Sequence, residues 1–61
     1  MNSIKFMREA LKITQVQLAK LLKVRQSTVA MWENGKNKPR ADKLPQLAKV
    51  LQCSIDDLFA N

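Results

Sequence analysis

The residues best equipped for chemistry sit in one short segment. Arg25, Gln26, Ser27, Thr28, Ala30 and Met31 all fall between positions 25 and 31. They offer an amide, two hydroxyls, one guanidinium and small apolar groups, and none is a carboxylate. These groups match the donor, acceptor and methyl patterns on base edges in a DNA major groove. The chemistry is recognition, with no bond made or broken. A little further on, Lys36, Lys38 and Arg40 place three cations in the five residues 36–40. Beside such a segment, that density points to phosphate contact rather than to a plain solvated surface. Gln15 and Gln26 form a third feature, because each stands at the start of an expected helix.

Catalysis is poorly served by comparison. There is no His, which removes the commonest general base and the commonest metal ligand. A single Cys excludes an intramolecular disulfide and any multi-cysteine zinc site. Cys53 has apolar neighbours and no adjacent cation. It reads as a small core residue in a reducing compartment rather than a redox sensor. Asp56 and Asp57 are consecutive, so on a helix they point about 100° apart. Capping suits them better than paired acid–base work. An enzyme is the weakest reading, and no cofactor, metal or small-molecule substrate is expected.

The elements that must position these residues are small. The chain has 61 residues with 11 Lys plus Arg against 5 Asp plus Glu, a net charge of +6. One domain over residues 1–61 is expected. A chain of this size buries only about 60% of its unfolded surface, which leaves no room for a cleft between two domains. At 46% hydrophobic it is apolar enough to fold. Apolar runs are too short to span a bilayer. Lys5, Arg8 and Glu9 rule out a secretory h-region in the first ten residues. A cytoplasmic protein is therefore expected, with no membrane partner.

Apolar residues recur at helical spacing throughout. Ser3 caps a first helix that carries Ile4, Met7, Arg8 and Leu11 and ends near Lys12. Thr14 caps a second, Gln15 to about Leu22, with Gln17 completing a capping box. Leu18, Ala19, Leu21 and Leu22 are expected on its buried side. After Lys23 and Val24, a third helix runs to about Asn34, with Val29 and Trp32 in the core. Trp32 reads as core because of its spacing with Val29, not as a base-stacking platform. Gly35 stops that helix. The basic loop follows. Then comes a fourth helix with Leu44, Leu47, Ala48 and Leu51 on one face and Pro45 in its first turn. Ser54 with Asp57 caps a short fifth helix carrying Ile55, Leu58 and Phe59. The fold class is all-α, about five short helices. Leu58 and Phe59 either close the core or supply a dimer contact. Lys5, Lys20, Lys43 and Lys49 read as plain surface.

Helices two and three, joined by only three or four residues, must cross steeply and share Leu18, Ala19, Val24, Val29 and Trp32. The stretch TQVQLAKLLKVRQSTVAMWENG, from Thr14 to Gly35, resembles the phage repressor and Cro (XRE) type of helix-turn-helix DNA-binding proteins. The likeness also takes in Arg8, Pro39-Arg40, Leu44-Pro45, Leu47-Ala48 and Ser54 to Phe59, which is almost the whole chain.

The resemblance implies a lambda-repressor-like bundle and a sequence-specific transcriptional regulator of double-stranded DNA, most simply a repressor acting by occupancy. It implies that Gln15 touches a phosphate and braces Gln26, and that Gln26 reads a base, adenine being the best match. Arg25, Ser27, Thr28 and Met31 would face neighbouring bases. Asn34, Lys36, Lys38 and Arg40 would hold the backbone, and Lys23, at the turn, stands where it could add a further phosphate contact. Arg8 and Glu33 would form a structural ion pair. A homodimer on an inverted repeat is implied too, weak in free solution, with half-sites about 34 Å apart. Lys12 and Lys23 depart from the family's habit of Gly at helix ends, which costs about 1 kcal/mol wherever the left-handed conformation is kept. Two other readings compete with this one. One is an antitoxin-like protein-interaction module with a secondary helix-turn-helix. The other is a basic membrane-surface peptide, which would need one long amphipathic helix.

Overall fold

The computed structural model describes residues 3–58. Five helices occur in it: α1 (Ser3–Ala10), α2 (Gln15–Leu22), α3 (Gln26–Glu33), α4 (Leu44–Leu51) and α5 (Ile55–Leu58). No strand occurs among the described residues, so the all-α expectation holds. None of these helices is long and apolar enough to cross a membrane.

Local chemistry sets the boundaries. At the start of α2, Gln17 N donates to Thr14 Oγ1 at 3.0 Å and Thr14 N donates to Gln17 Oε1 at 2.7 Å. This capping box occupies two backbone donors that the first turn would otherwise leave open. Ser54 and Asp57 repeat it before α5, with both bonds at 3.1 Å. Ser3 lies inside α1 rather than ahead of it, and its hydroxyl donates to Leu58 O at 3.0 Å. That bond joins the first helix to the last.

The helix ends need left-handed residues. Lys12, Lys23 and Gln52 adopt φ near +58°, and Gly35 adopts +84°. Lys23 N and Gln52 N each reach back to two carbonyls of the preceding helix, so the turns are closed by hydrogen bonds. Gly35 bears this conformation without a Cβ penalty. The other three positions carry strain. It was expected at Lys12 and Lys23 but not at Gln52.

Every helix feeds one core. Ile4 comes from α1, Leu18, Ala19 and Leu22 from α2, Val29 and Trp32 from α3, Leu47, Ala48 and Leu51 from α4, and Leu58 from α5. Each fully buried aliphatic side chain contributes about 1.5–3 kcal/mol of transfer free energy. Met7, Leu11, Ile13, Val24, Leu44, Val50 and Cys53 pack around this set. Burial, with Asp57 adding to it, raises the Cys53 thiol above its ordinary pKa. Little reactive thiolate is therefore present.

Two expectations, for Leu21 and Lys43, are corrected, and the alternative left open for Leu58 is decided. Leu21 is 59% exposed. It lies about 60° to one side of Leu18, whereas Leu22 and Ala19 lie on the other side, toward the core. Leu58 is 0% exposed, so it closes the core and offers no surface for a dimer. Phe59 lies outside the described residues. Lys43 is not plain surface, because its Nζ donates to Leu22 O at 3.1 Å. It satisfies a carbonyl at the negative end of α2, where a cation is favoured.

Candidate nucleic-acid interface

Lys23, Val24 and Arg25 connect α2 to α3. Ala19 and Val29 are buried where these two helices share the core. One face of α3 is thereby committed inward, and its N-terminal end stays open. Arg25, Gln26 and Ser27 are exposed, while Thr28 and Met31 are half-buried. Arg25 is the N-cap residue of α3 and makes no side-chain capping bond. Met31 is partly engaged, since its Sδ accepts from Asn37 Nδ2 at 3.4 Å.

The loop after α3 folds back beside this face. Asn34 Oδ1 accepts from Lys36 N at 3.0 Å, and Asn37 N donates to Met31 O at 3.3 Å. Lys36, Lys38 and Arg40 are exposed. Lys38, Arg40 and Lys43 line an open groove of about 440 Å³ with Thr28 and Trp32. Arg40 Nε lies 4.0 Å from Asp42 Oδ1 with both groups exposed, a pairing that binds neither strongly. Every cation expected at the phosphate backbone therefore remains at the surface, and Lys23 is exposed at the turn between the helices.

Behind the open face a polar chain runs from the buried Arg8–Glu33 pair out to the exposed Gln26. Arg8 Nε donates to Glu33 Oε2 at 2.6 Å, and Arg8 Nη2 donates to Glu33 Oε1 at 3.1 Å. Arg8 Nη1 donates to Ile13 O at 2.7 Å. The two residues are 8% and 5% exposed, as the expected ion pair requires. Gln15 Nε2 then donates to Glu33 Oε1 at 3.0 Å, and Gln26 Nε2 donates to Gln15 Oε1 at 3.2 Å. The brace from Gln15 to Gln26 is thus present. Burial acts to raise the Glu33 pKa, but hydrogen bonds from Arg8 and Gln15 outweigh it and hold the carboxyl below the usual range. The same ion pair pushes the Arg8 guanidinium upward.

Sequence reasoning missed the link from Gln15 to Glu33, although a signal for it existed. Gln15 precedes Leu18 by three and Ala19 by four, so it begins the buried stripe of α2. Gln26 and Glu33 stand three before and four after Val29, on the buried stripe of α3. Of these, Glu33 is buried and Gln15 half-buried, and a polar group that loses water needs a partner, which here each gives the other.

The helix-turn-helix family pattern matches residues 4–58. The HTH-type transcriptional regulator DicA of Escherichia coli (strain K12) is 47% identical over 84% of this chain. Repressor protein C2 of Salmonella phage P22 is 38% identical over 92% of it. The chain spans 38% and 26% of the lengths of these two relatives. The crystal structure of the P22 c2 repressor with a synthetic operator superposes with a TM-score of 0.88 at 34% identity, covering 95% of this chain and 92% of that one. The fold is also found inside a longer chain of another kind. Cobalt(II) HppE in complex with substrate matches with a TM-score of 0.83 at 38% identity, over 92% of this chain and 32% of its own. From its first buried helix residue, Ile4, to the core-closing Leu58, the chain belongs to the helix-turn-helix family.

Proposed function

We propose that this chain is the sequence-specific, double-stranded-DNA-binding unit of a transcriptional regulator, most simply a repressor. In this reading α3 enters the major groove. Gln26 and Ser27 read base edges directly, with Arg25, Thr28 and Met31 at the flanks. Gln15, Lys23, Asn34, Lys36, Lys38 and Arg40 hold phosphates on either side. The observation that carries the reading is the open N-terminal half of α3. It is free of exposed carboxylate, it bears a braced Gln26, and surface cations flank it. The operator in the P22 c2 repressor structure supports it through likeness of fold.

A homodimer on an inverted repeat extends the proposal, since one recognition helix covers few base pairs and pairing multiplies specificity. Leu58 is removed from the candidate contacts by its burial. Action by occupancy, without chemistry, in a prokaryotic cytoplasm belongs to the same proposal. Selection of bound duplexes from a randomised DNA pool tests it. An enriched motif with two half-sites about 34 Å apart supports the whole reading. Enrichment of a lone half-site removes the dimer, and no enrichment removes the DNA-binding function.

A second reading, as a protein-interaction module, is favoured by one observation. Phe6 is 74% exposed on α1 and Leu21 is 59% exposed on α2, both apolar and outside α3. If Phe6→Ser and Leu21→Ser leave site selection unchanged, these positions take no part in DNA binding.

A further inference from the structure

A carboxamide has a donor end and an acceptor end of nearly the same shape, so an unconstrained glutamine turns either way at little cost. An ionised carboxylate has no such freedom and only accepts. Glu33 stands at the closed end of the polar chain, fixed by two hydrogen bonds from Arg8. Gln15 must therefore turn its NH₂ toward Glu33, and the two lie 3.0 Å apart. Its oxygen then faces Gln26, 3.2 Å from Gln26 Nε2. A flipped Gln26 would bring two acceptor oxygens together. The charge at one end of the chain thus orients both amides.

The consequence falls on the groove-facing edge of Gln26, which is left with its oxygen and its remaining N–H in one order. That order matters to base pairs. Adenine shows N7 as acceptor beside N6–H as donor, and the thymine O4 acceptor follows on the far side. A guanine–cytosine pair shows two acceptors followed by the cytosine donor. One amide order fits adenine N7 and N6–H, or guanine O6 and cytosine N4–H, and the opposite order fits adenine N6–H and thymine O4. An amide that samples both orders accepts more pairs and gives up freedom on binding. One held in a single order does neither.

We propose that Glu33 is a positioning residue for specificity: acting through Gln15, it locks the amide direction of Gln26 and so narrows the base pairs that Gln26 accepts. A purely structural ion pair between α1 and α3 explains the burial of Arg8 and Glu33, but it does not require Gln15 to join them. The inference rests on Gln26 being a base reader, as proposed above.

The test is site selection from a randomised duplex pool with four proteins: the parent chain, Gln26→Ala, Gln15→Met, and the double variant Arg8→Met/Glu33→Met. The double variant leaves no unpaired buried charge, and a cooperative thermal melt confirms that it folds. Gln26→Ala identifies the base pair that Gln26 reads. Gln15→Met and the double variant are expected to lose about tenfold in discrimination at that same pair, with preferences elsewhere in the site kept. Undiminished discrimination at that pair in the double variant overturns the inference, whatever Gln15→Met does. Equal loss at every position also overturns it, because that marks a structural role. If Gln26→Ala changes no single position, the base-reading assignment itself fails and the inference falls with it. That result is distinct from a failure of the relay alone.

Discussion

Glu33 Oε2 lies 2.6 Å from Arg8 Nε, with the two side chains 4% and 10% exposed, so α1 is tied to the last turn of α3 out of reach of water. Removing one partner leaves the other charged and buried. Arg8→Ala should therefore cost about 3–5 kcal/mol. A domain of this length has only a few kcal/mol in hand, so the variant should be largely unfolded at room temperature by circular dichroism. Arg8→Met/Glu33→Met should restore most of the loss, since buried pairs replaced by apolar residues are often neutral. A normal melt for Arg8→Ala would show that the pair does not hold the helices together.

The same pair sets an acid limit. The folded Glu33 carboxyl sits below its ordinary value, with burial opposing the shift and the hydrogen bonds from Arg8 and Gln15 prevailing. A group whose pKa is depressed on folding contributes stability that is fully present above its unfolded pKa. That contribution disappears as pH falls through the folded value. The melting temperature should fall on going from pH 5 toward pH 3 by more in the parent chain than in Arg8→Met/Glu33→Met. Identical slopes for the two proteins would assign the acid sensitivity to other carboxyls.

Much of this was legible beforehand, for physical reasons that differ by residue. Thr14 with Gln17, and Ser54 with Asp57, announce helix starts because both halves of a capping box lie within four residues. The stripe Leu44, Leu47, Ala48 and Leu51 has one period and one face. Leu21 misled because an apolar type at a helix edge says nothing about which side of the stripe it falls on. Lys43 and Leu22 are 21 residues apart, and nothing local marks a lysine that will cap a distant helix. In the candidate site, the lack of carboxylates at 25–31 is plain from residue types alone. The relay through Gln15 to Glu33 depends on how two helices meet, and that is a tertiary fact.

Gln52 offers a stability test away from the interface. It is exposed at φ +58°, closing α4. An L-residue in that region costs about 1–2 kcal/mol, offset in part by the greater freedom of Gly in the unfolded chain. Gln52→Gly should gain about 0.5–1 kcal/mol and raise the melting temperature by several degrees, leaving DNA affinity unchanged. A lower melting temperature would mean that the left-handed turn is not strained. Lys23→Gly should gain similarly, but at the expense of one cation beside α3.

Phosphate and base contacts separate by their response to salt and to sequence. Lys38 is exposed in the loop beside Thr28, so Lys38→Ala should weaken selected and random DNA alike. Loss of one neutralised phosphate should flatten the slope of log affinity against log salt by about 0.9. Gln26 is neutral, so Gln26→Ala should leave that slope in place. It should instead cost about 1–3 kcal/mol on the selected site and little on random DNA. Fluorescence anisotropy across a salt series, on both duplexes, measures all four quantities. An unchanged slope for Lys38→Ala would take that residue off the backbone. An equal loss on both duplexes for Gln26→Ala would place its amide on phosphate instead of a base.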